Sequence, residues 1–364
     1  MKKKILQIIT RSDWAGGQKV LYTIVYGIKK KYSKEFEIEV AAGEGNGILF
    51  EELEKIGVKY YRLENLVRNV NPIKDLKAYF EIKKLIKLGN YDIVHVHSSK
   101  AGFLARIAAK KCKTKKIIYT QHGFWGIEQY KGLKRKIFIM LERIAANFSD
   151  YIVFLCNREK QKAENFKIGS ASKYAVIKNE ILPIENIQKG KLRKELNIPE
   201  NIKIIGNVSR LDKQKNPIRF LEIAEEVIKK VDDVFFVWIG GSVVENYYSN
   251  QVKKILNEKP YLTKKIKFLD FRKDAIELMA DFDVFLLTSD EEGMPLVILE
   301  AQQLGIPVVS TDVGCVREMN TIVLSKNEDF IKFLIDFLNS NQRNNLKSHS
   351  NYYEMIDKYV ELYK

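Results

Sequence analysis

Thr288-Ser289-Asp290-Glu291-Glu292-Gly293-Met294-Pro295-Leu296-Val297-Ile298-Leu299-Glu300-Ala301 is the most informative stretch of the chain. The apolar run Val284–Thr288 leads into it and predicts a buried strand ending at the acids. Gly293 permits a tight backbone path, Pro295 suits the first turn of a helix, and Leu296–Leu304 reads as that helix. A buried strand, a short loop and a helix are the building unit of a doubly wound parallel sheet. The loop also suits an anion: the N–H groups of Met294, Leu296 and Val297 would point out of the helix start, where a phosphate binds. Glu292 stands before that start. Glu300 lies among Leu296, Val297, Ile298 and Leu299, where a carboxylate needs a partner such as the vicinal hydroxyls of a ribose. The plainer alternative makes Glu300 a surface residue and the three acids a solvated turn.

Outward from this stretch the same grammar recurs. Before it, Ile202–Val208, Val234–Ile239 (ending in Gly240-Gly241) and Ile266–Leu269 read as strands, and Val308–Thr311 follows it. Helices are predicted at Ile218–Lys230, Val252–Leu256, Ala275–Ala280 and Phe330–Leu338. The N-terminal half alternates likewise, with strands at Ile5–Thr10, Phe36–Ala42, Val58–Leu63, Ile93–His97, Lys116–Thr120 and Tyr151–Leu155. Its helices are Val20–Lys30, Phe50–Ile56, Ile73–Leu88, Gly102–Lys111 and Lys134–Phe148. Pro183, Asn186 and Gly190 break the pattern and mark a linker near Ile181–Lys194. The fold class is therefore α/β, with two Rossmann-like doubly wound parallel-sheet domains and a cleft expected at their strand edges. Asn341–Ser350 reads as a polar tail, followed by an amphipathic helix at Tyr352–Tyr363.

A chain of 364 residues accommodates two such domains at about 100–200 residues each. A hydrophobic share of 46% excludes global disorder. Cys112, Cys156 and Cys315 are far apart in sequence and in no CxxC spacing, which excludes a zinc ribbon or a disulfide scaffold and fits a reducing cytosol. No stretch approaches the roughly 18 apolar residues of a spanning helix, and the run after Met1-Lys2-Lys3-Lys4 is too short for a signal core. The net charge of +16 is unevenly placed. Residues 1–180 hold 36 Lys and Arg against 18 Asp and Glu, whereas residues 181–364 hold 26 against 28. Such asymmetry suggests an anionic partner for the first half, although a generally lysine-rich surface is the plainer reading. P-loop, GxGxxG and HExxH patterns are absent, which argues against the usual kinases, dehydrogenases and metalloproteases.

A phosphate site needs cations, and Gly206-Asn207-Val208-Ser209-Arg210-Leu211-Asp212-Lys213-Gln214-Lys215 supplies them directly after a strand. Arg210 and Lys215 could neutralise a diphosphate without metal. With Glu292 to Glu300 in EGMPLVILE, continuing through Gly305-Ile306-Pro307-Val308-Val309 to Gly314, the chain closely resembles retaining nucleotide-sugar glycosyltransferases of family 4, which have the GT-B fold. Asp92-Ile93-Val94-His95-Val96-His97-Ser98 and Thr120-Gln121-His122-Gly123 extend the resemblance over nearly the whole chain.

The resemblance implies roles. Glu292 would lie at the donor sugar, and Gly293, Met294, Pro295, Leu296 and Val297 would hold sugar hydroxyls and the diphosphate. Glu300 would bind the ribose, Gly240 and Leu269 would line the donor site, and Arg210 and Lys215 would stabilise the leaving diphosphate. His122 matches a family histidine near the transferring sugar, although a histidine satisfying loop backbone is the alternative. Gly16 and Gly17 match a glycine loop near acceptor and diphosphate, or form an ordinary strand-to-helix turn. The domains would be 1–182 on the acceptor side, with a closing helix 346–364 packed back on it, and 183–345 for the nucleotide sugar. No cofactor and no essential metal are expected, and a UDP-sugar is the favoured donor. His95 and His97 share one strand face, but no carboxylate at useful spacing supports a metal site. Departures are Glu180 and Asp270 where glycines are usual, and a shortened segment after Glu318.

The acceptor should explain the basic half. Lys110, Lys111, Lys113, Lys115 and Lys116 cluster, as do Lys131, Lys134, Arg135 and Lys136 beside Ile137–Leu141. A basic, partly apolar face suits an anionic membrane, though Ile137–Leu141 could equally be core. The expected acceptor is a lipid-linked saccharide of cell-surface polysaccharide assembly, and the expected location is cytoplasmic, at the inner face of the membrane. A nucleotide-sugar epimerase or hydrolase on the same fold is the rival enzyme. A nucleic-acid-binding protein is the rival of another class; it is disfavoured because no recognition motif is present, so no nucleic acid is expected as a partner.

Overall fold

A computed structural model of the chain describes residues 2–241, 247–340 and 350–364. The chain divides into two compact units, Met1–Leu182 with Asn351–Lys364, and Pro183–Ser350. The expected start of the closing helix at 346, the second-domain end at 345 and residues 341–349 of the polar tail lie outside the described residues.

Unit 1 is built on a parallel sheet of β1 (Lys3–Ile9), β2 (Phe36–Ala42), β3 (Tyr60–Arg62), β4 (Ile93–His97), β5 (Lys116–Gln121), β6 (Tyr151–Phe154) and β7 (Tyr174–Val176). Their order is β3-β2-β1-β4-β5-β6-β7. β1 is central, so Ile5 pairs with both Ile38 and Ile93, and Gln7 sits beside His95. The connecting helices are α1 (Gly16–Lys31), α2 (Ile48–Lys55), α3 (Pro72–Gly89), α4 (Ser99–Lys111), α5 (Trp125–Glu128), α6 (Gly132–Ala146) and α7 (Asn157–Asn165). Local chemistry sets their limits. Asn71 accepts a hydrogen bond from the Lys74 N–H and Pro72 opens α3, both residue types that favour a helix start. α4 turns Ala101, Ala105, Ala108 and Ala109 into the core, and small side chains bring it close to the sheet. Arg106 of α4 is fully buried: its Nη2 lies 2.7 Å from Glu142 Oε2 of α6, and its guanidinium stacks 4.0 Å from the centre of the Tyr119 ring.

Unit 2 has β8 (Lys203–Val208), β9 (Val234–Ile239), β10 (Ile266–Leu269), β11 (Val284–Leu287), β12 (Val308–Thr311) and β13 (Ile322–Leu324), in the order β10-β9-β8-β11-β12-β13. Its helices are α8 (Lys191–Leu196), α9 (Pro217–Ile228), α10 (Tyr247–Glu258), α11 (Ala275–Met279), α12 (Leu296–Gln303) and α13 (Asn327–Asn339). Phe220 of α9 packs edge-on to Phe236 and Trp238, with centroids 5.8 and 5.2 Å away. The last helix, α14 (Tyr352–Tyr363), belongs to unit 1 and packs on α1.

Five elements were not anticipated, for physical reasons. α7 is nearly all polar and buries only Glu159 and Ala163, so it has no apolar stripe to find. α5 spans four residues, and α8 buries only Leu192. α8 is held instead by buried Asp281, which accepts from the Leu192 N–H at 2.8 Å and the Arg193 N–H at 3.1 Å. β7 and β13 are three-residue edge strands. β13 closes the sheet edge just beyond the shortened segment after Glu318, pairing Val309 with Ile322.

In each sheet the strand order reverses once, between β1 and β4 and between β8 and β11. Open parallel sheets bind ligands at the carboxyl ends of strands at such points. Gly16 and Gly17 follow β1 at the first of these places, and Arg210, Lys215 and Glu292 follow β8 and β11 at the second.

Candidate active site

In unit 2 the loops after β8 and β11 lie side by side at the reversal and are joined by hydrogen bonds. Asp290 N–H donates to the Gln214 carbonyl at 2.9 Å, and Gln214 Nε2 donates to the Glu291 carbonyl at 3.0 Å. Thr288 Oγ1 donates to the carbonyls of Lys215 and Asn216, both at 3.2 Å. Asn216 Nδ2 donates to Asp290 Oδ1 at 2.9 Å, while its own Oδ1 accepts from Arg219 N–H and so caps α9. One side-chain amide thus ties the helix start to the acidic loop.

This lacing brings Lys215 and Glu292 together. Lys215 Nζ lies 2.5 Å from Glu292 Oε1, which also accepts from Ser289 Oγ at 2.7 Å. Glu292 is 6% exposed, so a carboxylate and an ammonium form a nearly buried, mutually neutralised pair at the carboxyl edge of the sheet. Glu300 is also 6% exposed, on α12, which removes its reading as a surface residue. Arg210 differs: its side chain is 51% exposed and its Nη2 rests 2.8 Å from Asp212 Oδ2.

Pro295 occupies the position just before α12 rather than its first turn, with extended backbone, and Leu296 is the first helical residue. The N–H groups of Leu296 and Val297 therefore fall in the first turn, where no intrahelical acceptor exists. The backbone before them is set by Gly314. Its φ is +49°, its neighbour Cys315 donates its N–H to the Gly293 carbonyl at 2.8 Å, and a Cβ at Gly314 would stand 2.2 Å from that carbonyl oxygen and 2.3 Å from that of Glu292. Gly240, at the end of β9 with φ of +123°, likewise lies against the Ser209 carbonyl, 2.3 Å from where its Cβ would be. That carbonyl accepts from Trp238 Nε1 at 2.9 Å, and Gly240 N–H donates to the Leu269 carbonyl at 2.9 Å. Gly240 and Leu269 are therefore scaffold for the loop that carries Arg210.

 In particular, Leu269 closes β10 and contributes that backbone carbonyl.

Unit 1 holds the remaining candidates. Gly16 and Gly17 are the first two residues of α1, and nothing lies within 4 Å of a Cβ placed at Gly16. His97 ends β4 and His122 follows β5, with His97 Nδ1 3.0 Å from His122 Nε2. His95 and His97 are fully buried and engage Tyr363, Thr120, Gln7 and His122, and no carboxylate is among these partners. Among the described residues no group of three or more His, Cys, Asp or Glu could hold a metal ion. Loss of hydration pulls the His122 imidazole down to about 4 and His95 to about 3, and holds His97 well below its ordinary value, so all three are neutral at physiological pH.

The sequence did not single out Ser289, Gln214, Asn216 or Gly314 for the roles they fill here. Ser289, Gln214 and Gly314 stood inside quoted motifs and Asn216 directly follows one, but their roles depend on which loops the sheet order makes neighbours. Gln7 gave a signal, as the one polar residue interrupting Ile5–Ile9.

Comparison with known proteins agrees with this architecture. Residues 15–181 match the family described as Glycosyltransferase Family 4, and residues 188–347 the family described as Glycosyl transferases group 1. A UDP-Gal:alpha-D-GlcNAc-diphosphoundecaprenol alpha-1,3-galactosyltransferase of Escherichia coli is 31% identical over 91% of this chain and 89% of its own length. The capsular polysaccharide biosynthesis glycosyltransferase CapH of Staphylococcus aureus is 26% identical over 87% and 83%. Among solved structures, Anabaena HepE in complex with UDP and glucose superposes with a TM-score of 0.81 at 19% identity, over 99% of this chain and 98% of that one.

Proposed function

The chain belongs to glycosyltransferase family 4, with the two-domain α/β GT-B fold, and from that premise we propose that it moves a sugar from a UDP-sugar to a lipid-linked saccharide during surface-polysaccharide assembly, with retention of anomeric configuration. The observation that carries the donor site is the buried Lys215–Glu292 pair at the start of α12, with Glu300 buried on the same helix. In this reading the N–H groups of Leu296 and Val297, with Arg210 and Lys215, receive the diphosphate and stabilise charge as the bond to the anomeric carbon breaks. Gly293 and Met294 face the sugar through their backbone, and Glu300 accepts from the ribose hydroxyls. Glu292 and His122 act beside the transferred sugar. The acceptor hydroxyl attacks from the face the diphosphate leaves, and its proton passes to the departing phosphate oxygen. Two cations and a helix start supply the electrostatics, so metal is not essential to this scheme.

The choice of a lipid-linked acceptor draws on two observations. The Escherichia coli relative is named for a diphosphoundecaprenol substrate, and unit 1 presents an apolar stripe to solvent. Leu133, Ile137, Met140 and Ile144 of α6 are exposed at the spacing of one helix face, next to exposed Lys131, Lys134 and Lys136. Ile73, Leu76 and Phe80 of α3 are exposed in the same way, and both helices pack on α4. Part of the Ile137–Leu141 run therefore faces outward, while Phe138 and Ile139 pack on the core. Basic residues around an exposed apolar face suit the inner leaflet of an anionic membrane. No helix among the described residues is long and apolar enough to cross one.

The test is a panel of nucleotide sugars, assayed for thermal stabilisation and for transfer to a diphospholipid-linked saccharide, with and without magnesium. UDP-sugar binding lost in Glu300→Ala, with an axial or equatorial product anomer matching the donor, is the expected result. Conversion of the nucleotide sugar without any acceptor product would favour an epimerase or hydrolase instead.

A further inference from the structure

The interior of unit 1 holds a continuous string of hydrogen bonds that begins at His122 and ends on the last helix. His122 Nε2 lies 3.0 Å from His97 Nδ1, and His97 Nε2 lies 2.7 Å from Gln7 Oε1. Gln7 Nε2 donates to Tyr363 Oη at 3.0 Å, and Tyr363 Oη lies 2.7 Å from His95 Nδ1. His95 Nε2 is 2.8 Å from Thr120 Oγ1, which is 3.2 Å from Tyr359 Oη. Gln7, His95, His97, Thr120, Tyr359 and Tyr363 are all fully buried.

A neutral imidazole has one N–H and one lone pair, so each ring transmits the direction of its bonds. A hydroxyl can serve in either direction. The amide of Gln7 cannot: one end only donates and the other only accepts, and it therefore sets the sense of the string. With Oε1 toward His97, the His97 proton sits on Nε2 and its Nδ1 accepts. His122 must then donate from Nε2, which leaves its Nδ1 with the lone pair. On the other branch Tyr363 accepts from Gln7 and donates to His95, His95 donates to Thr120, and Thr120 donates to Tyr359. Every bond of the string then has one donor and one acceptor.

We infer that Tyr363 is a positioning residue for His122: its hydroxyl oxygen gives the donor end of the Gln7 amide a buried acceptor, which permits the orientation that leaves His97 protonated on Nε2 and presents His122 with Nε2 protonated and Nδ1 free to accept. A residue of the last helix thus sets the proton position on a residue distant in sequence. In Tyr363→Phe the Gln7 N–H would be buried without an acceptor, which costs more than an orphaned carbonyl. The amide turns over, His97 and His122 exchange tautomers, and His122 becomes the Nδ1–H form. The kinetic consequence rests on the reading of His122 as a group beside the transferred sugar. The tautomer itself does not.

The experiment labels the full chain with 15N-histidine and reads the imidazole tautomers by long-range 1H–15N correlation at neutral pH, without substrate. The chain has four histidines, His95, His97, His122 and His349, so single His→Gln variants assign every signal. The expected result is Nε2–H for His97 and His122 in the wild type and Nδ1–H for both in Tyr363→Phe. Tyr359→Phe, which removes only the terminal acceptor of the other branch, leaves both unchanged. Turnover in Tyr363→Phe falls about tenfold with KM for the nucleotide sugar unchanged. Nδ1–H on His122 in the wild type, or identical His122 signals in wild type and Tyr363→Phe, would overturn the proposal, as would a tautomer exchange that leaves turnover intact. Should Tyr363→Phe fail to fold, Gln7→Met removes the same polarity from the other side, and unchanged His97 and His122 signals there would equally refute it. A chain with the expected tautomers and no transferase activity would count against the functional reading of the previous subsection alone.

Discussion

Replacing Gly314 by alanine tests whether the proposed donor-site chemistry of unit 2 depends on the path of one loop. The new Cβ would stand 2.2 Å from the Gly293 carbonyl oxygen and 2.3 Å from that of Glu292. Ordinary carbon-to-oxygen contact is roughly 3.3 Å, so the loop or the glycine must yield by about 1 Å. The atoms that block it are backbone and cannot rotate away. Alanine at φ of +49° adds about 1–2 kcal/mol of left-handed strain. A displacement of about 1 Å at positioned groups costs on the order of a hundredfold in rate, which is the loss expected for sugar transfer in Gly314→Ala. The global fold should survive, because the strand cores on either side are untouched. The assay is initial-rate transfer at saturating nucleotide sugar, with far-UV circular dichroism and thermal melting as the control for folding. A variant that melts like the wild type and transfers at more than about a third of its rate would refute the idea that Gly314 holds the Glu292–Gly293 backbone in its working position.

Four further outcomes follow from the geometry. Lys215→Met leaves buried Glu292 without its countercharge and is expected to destabilise unit 2 by about 3–5 kcal/mol, most of it recovered in Lys215→Met/Glu292→Leu; a denaturation cycle showing no coupling would sink the pairing. Gly16→Ala meets no atom and sits in a helix, so it should stabilise unit 1 by about 0.5–1 kcal/mol while slowing transfer to acceptor; unchanged transfer would remove Gly16 from the site. The unfolded chain protonates its histidines near pH 6.5, whereas burial holds His95 at about 3 and His122 at about 4 in the folded state, with His97 also depressed. Stability is thus fully present above about pH 6.5 and is lost as pH falls toward 4, by about 1.4 kcal/mol per pH unit for each histidine; urea melts that are flat over this range would contradict the buried neutral network. Ile137→Asp/Met140→Asp should fold normally but no longer sediment with anionic vesicles; undiminished sedimentation would move the membrane contact away from α6.

Much of the architecture was legible because strongly apolar runs and glycine or proline stops coincide with element ends. Val284–Thr288 and Ile93–His97 are examples, buried on both faces, and Phe36–Ala42 is another, buried except at Glu37. Where burial is slight, the sequence is silent: α7 has almost no apolar residue, and β7 and β13 are too short for a period. α1 begins at Gly16, well before its apolar stripe, because tertiary structure overrides the poor helix propensity of two glycines. In the site, the proximity of Lys215 and Glu292 could be guessed from the motifs but not their direct pairing, which depends on β8 and β11 being neighbours. The histidine string was wholly out of reach. It joins residues from β1, β4, β5 and α14, and no local pattern encodes which buried hydroxyl meets which ring.

The membership of α14 in unit 1 has a consequence for how the protein is made. Residues Pro183–Ser350 are contiguous and can close their sheet as soon as they leave the ribosome. Unit 1 is split: its first strands emerge early, but Gln7 and His95 wait for a hydroxyl synthesised only after the whole of unit 2. Lys3 of β1 then bonds the carbonyls of Tyr363 at 3.2 Å and Lys364 at 3.0 Å, joining segments made before and after unit 2. Vectorial synthesis therefore reverses the apparent order, with the second unit maturing first. The N-terminal unit should stay sensitive to protease until its final helix is released to dock.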